Sequence, residues 1–566
     1  MARTPAIGLQ DFGDIIRKNC FYVDKTAFIK EWWESEDSVT LITRPRRFGK
    51  TLTMSMLDYF FSVEHKGDGD LFEGLSIWQE EKYRKLQGTY PVIFLSFASV
   101  KANNFKDTTK SIAYLITQVY HSNRFLLEDG ILGESEIALF NRISPDMDEV
   151  DAVYALNQLS GFLSKYYDKK ALILLDEYDT PLQEAYMNGY WEEMTGFIKG
   201  MFNATFKTNP HLERAILTGI TRVSKESIFS DMNNLEVATV LSEAYGEAFG
   251  FTEAETFQAL DEFGLRGQER EVRYWYDGFQ FGGSKNIYNP WSIINFLKKR
   301  KLAPYWANTS SNGLVSELLR KSGNRMKKAM EDLLQGKTCK AHIDEEIVFN
   351  RLDMERDAVW SLLVASGYLK AVNVEGDWEQ GKLYELAVTN FETAQMFKGL
   401  IAGWFNTMEY YFFDFCDALL AGDVEGMNQI LGDILIKVVS YFDTGTEAFY
   451  HGLTLGLISC VGHRYIVTSN PEAGLGRCDT LLEPKEKGKG HDGIILEYKK
   501  FDGRVDKDLT DTVRRALEQA AERKYSAALE VKGIDREDIK VYGFAFRGKE
   551  TLIDGGELLK FDNLDT

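Results

Sequence analysis

Three groups of residues in this 566-residue chain have types and spacings that could do chemistry. The first is Gly49-Lys50-Thr51, which closes the loop Arg44-Pro45-Arg46-Arg47-Phe48-Gly49-Lys50-Thr51. An apolar run, Val39-Thr40-Leu41-Ile42-Thr43, precedes this loop, and a helix-like segment from Leu52 to Phe61 follows it. In the G-x-x-x-x-G-K-[ST] pattern, backbone N–H groups wrap a β-phosphate, the Lys reaches the β/γ oxygens, and the hydroxyl holds Mg²⁺ at a helix N-terminus. Gly49, Lys50 and Thr51 fit, while Arg44 stands where the first Gly belongs. A tight turn in front of any helix could present the same three residues, so the flanking elements carry the weight.

The second group is Asp176-Glu177, with Asp179 close behind. It ends Ala171-Leu172-Ile173-Leu174-Leu175, a run that reads as a fully buried strand delivering acids at its exit. In P-loop chemistry the first acid helps hold Mg²⁺ and its neighbour polarises the attacking water. Either motif alone is as well explained by a loop or by solvated acids; the two in this order support each other. ATP and Mg²⁺ are therefore the expected cofactors. Arg46, Arg47, Phe48, Gly49, Lys50, Thr51 and Asp176 are the expected nucleotide contacts, Thr51 and Asp176 the metal partners, and Glu177 the catalytic acid. The next strand, Arg214 to Ile220, ends in Thr221-Arg222, where Arg222 is placed to sense a γ-phosphate; a surface salt bridge is its plainer alternative.

The third group lies near the C-terminus. Gly476 to Glu483 and Ile494 to Lys499 read as strands joined by a Gly/Lys-rich turn (Lys485 to Gly493), after an earlier strand from Arg464 to Thr468. Antiparallel pairing brings Asp479 opposite Glu497, although they are 18 positions apart. Alternation puts Glu497 and Lys499 on one face and Tyr498 on the other. Two carboxylates and a Lys suit a Mg²⁺ site in which the metal polarises a phosphate oxygen and Lys499 orients water or steadies developing charge. Glu447, at the start of a helix (Ala448 to Ser459), could join through a water. Gln519, on a helix from Thr512 to Tyr525, could support the site. An exposed hairpin with a cross-strand Asp/Glu/Lys cluster is the competing reading of Asp479, Glu497 and Lys499 alone.

The elements that must position these groups alternate strand and helix from residue 21 to about 220. Phe21 to Lys30 reads as a short strand or turn entering a helix capped by Asp24 or Thr26, its aromatics serving as core or bordering an adenine. Val92 to Phe97 is a further buried strand; Ser111–Tyr120, Val150–Tyr166 and Trp191–Phe206 are helices. Such alternation implies a parallel sheet with helices on both faces. Tyr274 to Gly283 packs aromatics with glycines and reads as core or a domain interface, with a ligand-reading role as the alternative. Asn289-Pro290 opens an apolar helix. From about 300 to 440 the pattern is helical, as in Leu314–Leu319, with a small β element near Lys382 to Val388.

Length alone requires several cores, and the fold class expected is α/β: a P-loop domain over 1–300, a helical middle over 301–440 and a C-terminal α/β domain over 441–566. Hydrophobic residues at 44% and charged residues at 27% describe an ordinary globular protein. The five cysteines are scattered without a C-x-x-C pair, which predicts reduced thiols, a cytoplasmic setting and no zinc site. No apolar run reaches the length of a membrane span, of about 18 residues, and no signal peptide is indicated. The net charge of −20 works against a nucleic-acid partner without locating a patch.

At these residues the chain resembles a bacterial and archaeal family with an AAA-ATPase-like P-loop domain, a helical middle and a C-terminal PD-(D/E)xK nuclease-superfamily domain. The matching stretches are Tyr22-Val23-Asp24-Lys25-Thr26, the Arg44–Thr51 loop, Leu175 to Asp179, Leu217 to Arg222, Tyr276-Asp277-Gly278-Phe279, Tyr288-Asn289-Pro290, and Gly476-Arg477-Cys478-Asp479 with Glu497-Tyr498-Lys499. The R-P-R-R-F-G-K-T form is typical of that family, whereas Cys478 replaces the Pro of the superfamily pattern. The resemblance implies a restriction-endonuclease-like fold for the last domain and an ATPase whose nucleotide state controls a Mg²⁺-dependent nuclease acting on DNA, with no membrane and a homo-oligomer compatible with the sequence. The rival is a nucleotide-dependent switch or scaffold whose nuclease fold is inactive. A basic rim of Lys485, Lys487, Lys489, Lys499, Lys500 and Arg504 would favour cleavage.

Overall fold

The computed structural model describes residues 3–557 apart from 224–227, 308–314, 316–317, 320–323, 346–357, 377–381, 438–446, 459–460, 462–463 and 487–491. Leu314, Ser316 and Glu317 of an expected helix, and Lys487 and Lys489 of the expected basic rim, lie outside the described residues. The chain divides into two compact units, Met1–Leu400 and Ile401–Thr566. The division falls inside the stretch expected as a helical middle domain, so residues 301–400 pack with the first unit and the rest with the second.

The first unit is built on five parallel strands: β1 (Val39–Thr43), β2 (Val92–Ser96), β3 (Ala171–Asp176), β4 (Leu212–Gly219) and β5 (Leu235–Ala238), in the order β2-β3-β4-β1-β5. Every residue of β1 and β3 is buried, as strands covered on both faces must be. Parallel register aligns their C-terminal ends: Ser96 pairs with Asp176, and Thr43 with Gly219. One sheet edge therefore carries the exits of β1, β3 and β4. The connecting helices start at side-chain caps. Asn104 accepts from Asp107 N ahead of Phe105–Ser122, and Asp148 accepts from Asp151 N ahead of Glu149–Tyr167.

Beyond the sheet, β6 (Phe279–Phe281) and β7 (Ser284–Ile287) form a hairpin around Gly282-Gly283. A helix, Pro290–Lys299, follows, with Asn289 accepting from Trp291 N and Ser292 N at its cap and Pro at its first position. Tyr276 and Tyr288 are core, packed with Phe21, Phe251 and Phe296. Where one small β element was expected, three antiparallel strands occur, in the order β8-β10-β9: β8 (Cys339–His342), β9 (Leu369–Glu375) and β10 (Leu383–Val388).

The second unit has a mixed sheet of β11 (Tyr465–Ser469), β12 (Thr480–Pro484), β13 (Gly493–Lys500), β14 (Ile539–Arg547) and β15 (Glu550–Glu557), in that order. Only β13 and β14 pair in parallel, and the helix Leu509–Glu522, called α1 here, makes the crossover between them. Alternation along β13 divides two cores. Ile494, Leu496 and Tyr498 join the helices Val424–Lys437 and Glu447–Ile458 on one side, while Ile495 joins Ala520 of α1 on the other. Glu497 and Lys499 have the parity of Ile495, so the pleat turns them toward α1.

Cys20, Cys339 and Cys478 are free thiols, but Cys416 is disulfide-bonded, which corrects the expectation of reduced thiols throughout. Its partner lies outside the described residues. Folding brings Cys416 to within 3.3 Å of the Leu457 carbonyl, a proximity that scattered sequence positions do not reveal.

Candidate functional site

The loop after β1 is tied down at four residues. Arg44, in the position of the general pattern's first Gly, is fully buried, and its guanidinium donates to the carbonyls of Thr43, Ala238, Thr239, Ala244 and Tyr245 at 2.8–3.2 Å. It lies over the Phe281 ring at 4.8 Å, and burial pulls its pKa down to about 9. Arg46 offers its carbonyl to Trp306 Nε1 at 3.0 Å. Arg47 adopts a left-handed φ of 66° and lays its guanidinium over Trp291. Phe48 is buried edge-on against Phe279 and Phe281, so only its backbone faces the loop interior. Gly49 then turns the chain into the helix Lys50–Phe61 at φ 85°, where a side chain would be strained.

Lys50 is buried, and its ammonium donates to the Arg44 and Pro45 carbonyls, each at 2.9 Å. Burial lowers its pKa, opposed by Glu177, Asp176 and Asp179. Thr51 Oγ1 donates to Asp176 Oδ2 at 2.8 Å, so the loop hydroxyl and the β3 acid meet across 125 positions of sequence. β4 lies between β1 and β3, and its Thr218 hydroxyl holds the other Asp176 oxygen at 2.5 Å.

Glu177 sits just past β3 with a left-handed φ of 52°, a backbone state that costs a non-glycine residue about 1–2 kcal/mol and is met at functional turns. Burial raises its carboxyl pKa, and Lys50 draws it back down. Asp179 does different work: one oxygen accepts from Ile220 N, Thr221 N and Thr221 Oγ1 at 2.8–3.0 Å, latching the β4 exit to the β3 exit. Arg222 lies three residues beyond β4 on the same sheet edge, in a small cleft with Thr43, Asp344 and Glu345. Beside the Arg44–Thr51 loop, Tyr22 and Lys25 line a pocket with Gly49, Leu52, Thr53 and Met56. Thr26 precedes its helix without a side-chain cap bond; Asp24 instead accepts from Thr26 N.

In the second unit the β12–β13 ladder ends at the pair Thr480–Leu496, and the acids sit where the strands part. Asp479 lies just before β12, and its Oδ2 takes the N–H of Tyr498 at 2.8 Å, replacing the next ladder bond. Glu497, 1% exposed, accepts at Oε1 from Lys499 Nζ (3.2 Å) and from Gln519 Nε2, and at Oε2 from Asp479 N (3.4 Å). Burial first, and Asp479 second, push its pKa up to about 7. Glu447 reaches Lys500 N at 3.3 Å, along the same strand as Glu497 rather than onto the acids themselves.

Oxygen donors paired in this way fit a hard divalent cation that keeps several waters. Thr51 with Asp176 and Asp479 with Glu497 are the pairs present. Among the described residues no group of three or more His, Cys, Asp or Glu side chains is placed to hold a metal, so water and substrate oxygens would complete either shell.

Sequence reasoning missed Thr218, although a polar residue at the end of a buried strand was a usable signal. It also missed Tyr525, whose hydroxyl donates to the Arg477 carbonyl at 2.7 Å and accepts from Gln519 Nε2 at 3.2 Å. Nothing local marked that residue.

Residues 6–229 match the AAA-ATPase-like family model, described as a predicted AAA-ATPase, and residues 445–555 match that of the PD-(D/E)XK nuclease superfamily. The chain carries these two domains in the order its motifs imply. A relative named as an uncharacterized protein in the vnfD 5′ region of Azotobacter chroococcum mcd 1 is 28% identical over 316 residues, 55% of each chain, so the match spans about half of that relative's length. The solved structure of the Aeropyrum pernix ORC1 protein in complex with DNA aligns at 11% identity over 68% of this chain and 94% of that one, with a TM-score of 0.27, too loose a superposition to establish a common fold.

Proposed function

We propose that this AAA-ATPase-like, PD-(D/E)XK-containing chain binds and hydrolyses Mg-ATP in its first unit and uses the nucleotide state to control Mg²⁺-dependent cleavage of DNA by its second. The observation that carries the reading is that each unit brings together its own pair of oxygen donors: Thr51 bonds Asp176, and the Asp479 carboxylate is near enough to Glu497 to push its pKa up.

In the first unit, Lys50 takes the β/γ oxygens, the N–H groups of 46–51 wrap phosphate, and the pocket beside Leu52 and Met56 receives the nucleoside. Glu177 orients the attacking water, since Asp179 is committed to the Ile220–Thr221 backbone. Arg222 meets the γ-phosphate from the β4 side. In the second unit, bound Mg²⁺ would polarise the scissile phosphate and its own water. Lys499 steadies charge as it develops, and Gln519 keeps the Glu497 carboxylate aimed. Glu447 joins through a water.

A cleavage assay on the full chain with Mg²⁺, with and without ATP, tests the reading. Cleavage that depends on ATP, on Lys50 and on Asp479 is the expected result. The switch-or-scaffold alternative draws on the net charge of −20 and on the pairing of Arg504 with Asp502 and Lys499 with Glu497, which leaves less of a free basic rim. Absence of cleavage under every nucleotide condition, with ATP binding intact, would select it.

A further inference from the structure

Outside the nucleotide site, the first unit holds a cleft of about 320 Å³ between β6 and the β9–β10 strands, lined by Phe279, Val364, Leu369, Lys370, Lys382 and Tyr384. Its walls are aromatic and aliphatic, yet Lys370 and, at the exposed rim, Lys382 are among the residues that line it. Lys370 is half-buried and, among the described residues, has no carboxylate within ion-pair distance. Burial lowers its pKa, and Asp277 acts on it only through space. Asp277, which is not among the residues lining the cleft, keeps one buried oxygen with no hydrogen-bond partner, and among the described residues no hydrogen bond joins it to Lys370. A half-buried lysine that lines a cavity without an ion pair is placed to meet an anion.

The far end of the cleft has the opposite character. Glu243 lies at the Gly282-Gly283 turn, accepting from Gly283 N at 3.0 Å, while Lys370 Nζ lies against Gly278. The three residues of β6 lie between Gly278 and Gly282, which sets the cationic and anionic ends roughly 10–13 Å apart. Inorganic phosphate would reach only one of them.

We propose that this cleft binds a small organic phosphate of nucleotide or sugar-phosphate size, with its phosphate on Lys370 and Lys382, its ring against Phe279 and Leu369, and its hydroxyl or amino groups toward Glu243. Tyr384, buried, lines the same cleft. An occupant would touch the supports of the phosphate loop, because Phe279 packs on Phe48 and an added methyl at Gly367 would meet the Pro45 ring at 2.7 Å.

The experiment is calorimetry on the full chain carrying Lys50→Ala, which silences the P-loop, titrated with AMP, GMP, CMP, UMP, ribose 5-phosphate and inorganic phosphate. At least one organic phosphate should bind tenfold or more tightly than inorganic phosphate, and adding Lys370→Gln should weaken it at least tenfold. Lys382→Gln, at the exposed rim, should weaken it severalfold and decides the matter if the Lys370 variant does not fold. The proposal is overturned if no organic phosphate binds, if inorganic phosphate binds as well as the best of them, or if binding ignores these lysines.

Discussion

The two acidic centres solve the same electrostatic problem differently. Asp176 is fully buried, but hydroxyls of Thr51, Thr218 and Ser96 surround its oxygens, and its charge is met by neutral donors already in place. Glu497 is equally hidden, yet it faces a second carboxylate, and its pKa rises to about 7. The first centre also gathers acids, but hydroxyls hold Asp176 and the buried Lys50 lies among them, whereas the second sets Glu497 against Asp479 with Lys499 on one oxygen only and gains most from a cation. On the proposed reading, the nucleotide site is preorganised without metal, whereas the metal site at the strand fork is built around an unfavourable pair.

The largest test of that contrast removes one member of the pair. Asp479→Ala and Lys499→Ala should each lower DNA cleavage by about 10²–10³-fold. Mg²⁺ binding, followed by calorimetry, should vanish only in Asp479→Ala, because Lys499 is no metal ligand. Cleavage surviving both substitutions would relocate the site. In the first unit, Lys50→Ala should abolish measurable ATP binding, and Glu177→Gln should retain ATP while losing turnover. Equal turnover in Glu177→Gln and the parent would remove Glu177 from its role, and Asp179 would be a poor substitute given its latch.

A third test is Arg44→Gly, which restores the general P-loop pattern. Five carbonyls lose their donor, and unsatisfied buried groups cost about 1–3 kcal/mol each. Urea unfolding should show a loss of at least about 3 kcal/mol in the first unit's transition, and an unchanged midpoint would refute the anchoring role.

The pH dependence is smaller and its sign is fixed. The Glu497 carboxyl is raised from 4.5 to about 7 in the fold, so it favours the folded state in its protonated form. Its contribution to stability is present at low pH and is lost as pH rises from the ordinary carboxyl range through about 7. Metal-free protein should therefore lose melting temperature over that window. Glu497→Gln should lose less, and Mg²⁺ affinity should rise across the same range. Tyr525→Phe should produce the smallest effect, about 1 kcal/mol or roughly fivefold in cleavage, by freeing Gln519.

Much of each centre was legible because its parts are contiguous or joined by one hairpin. Lys50 and Thr51 are adjacent, Asp176 ends an apolar run, and strand alternation alone put Glu497 with Lys499. The insertion of β4 between β1 and β3 was not legible, since strand order depends on pairings between residues far apart in sequence. Arg44 looked like a departure from a glycine pattern; its role depends on carbonyls near residues 238–245, about 200 positions away. β8 was missed because Cys339-Lys340-Ala341-His342 places only two small residues, Cys339 and Ala341, on its inward face, too little for a period to register. Cys478, in the pattern's Pro position, is buried with its thiol pKa raised, which fits a packing residue rather than a reactive one.

The hydrogen bonds of Lys50 carry one more consequence. Its ammonium is already held by the Arg44 and Pro45 carbonyls of its own loop. Phosphate therefore enters as a competitor, exchanging one set of acceptors for another. The measured affinity will report the difference between two solvated states of one cation, and substitutions that loosen those two carbonyls, without touching nucleotide, should tighten binding.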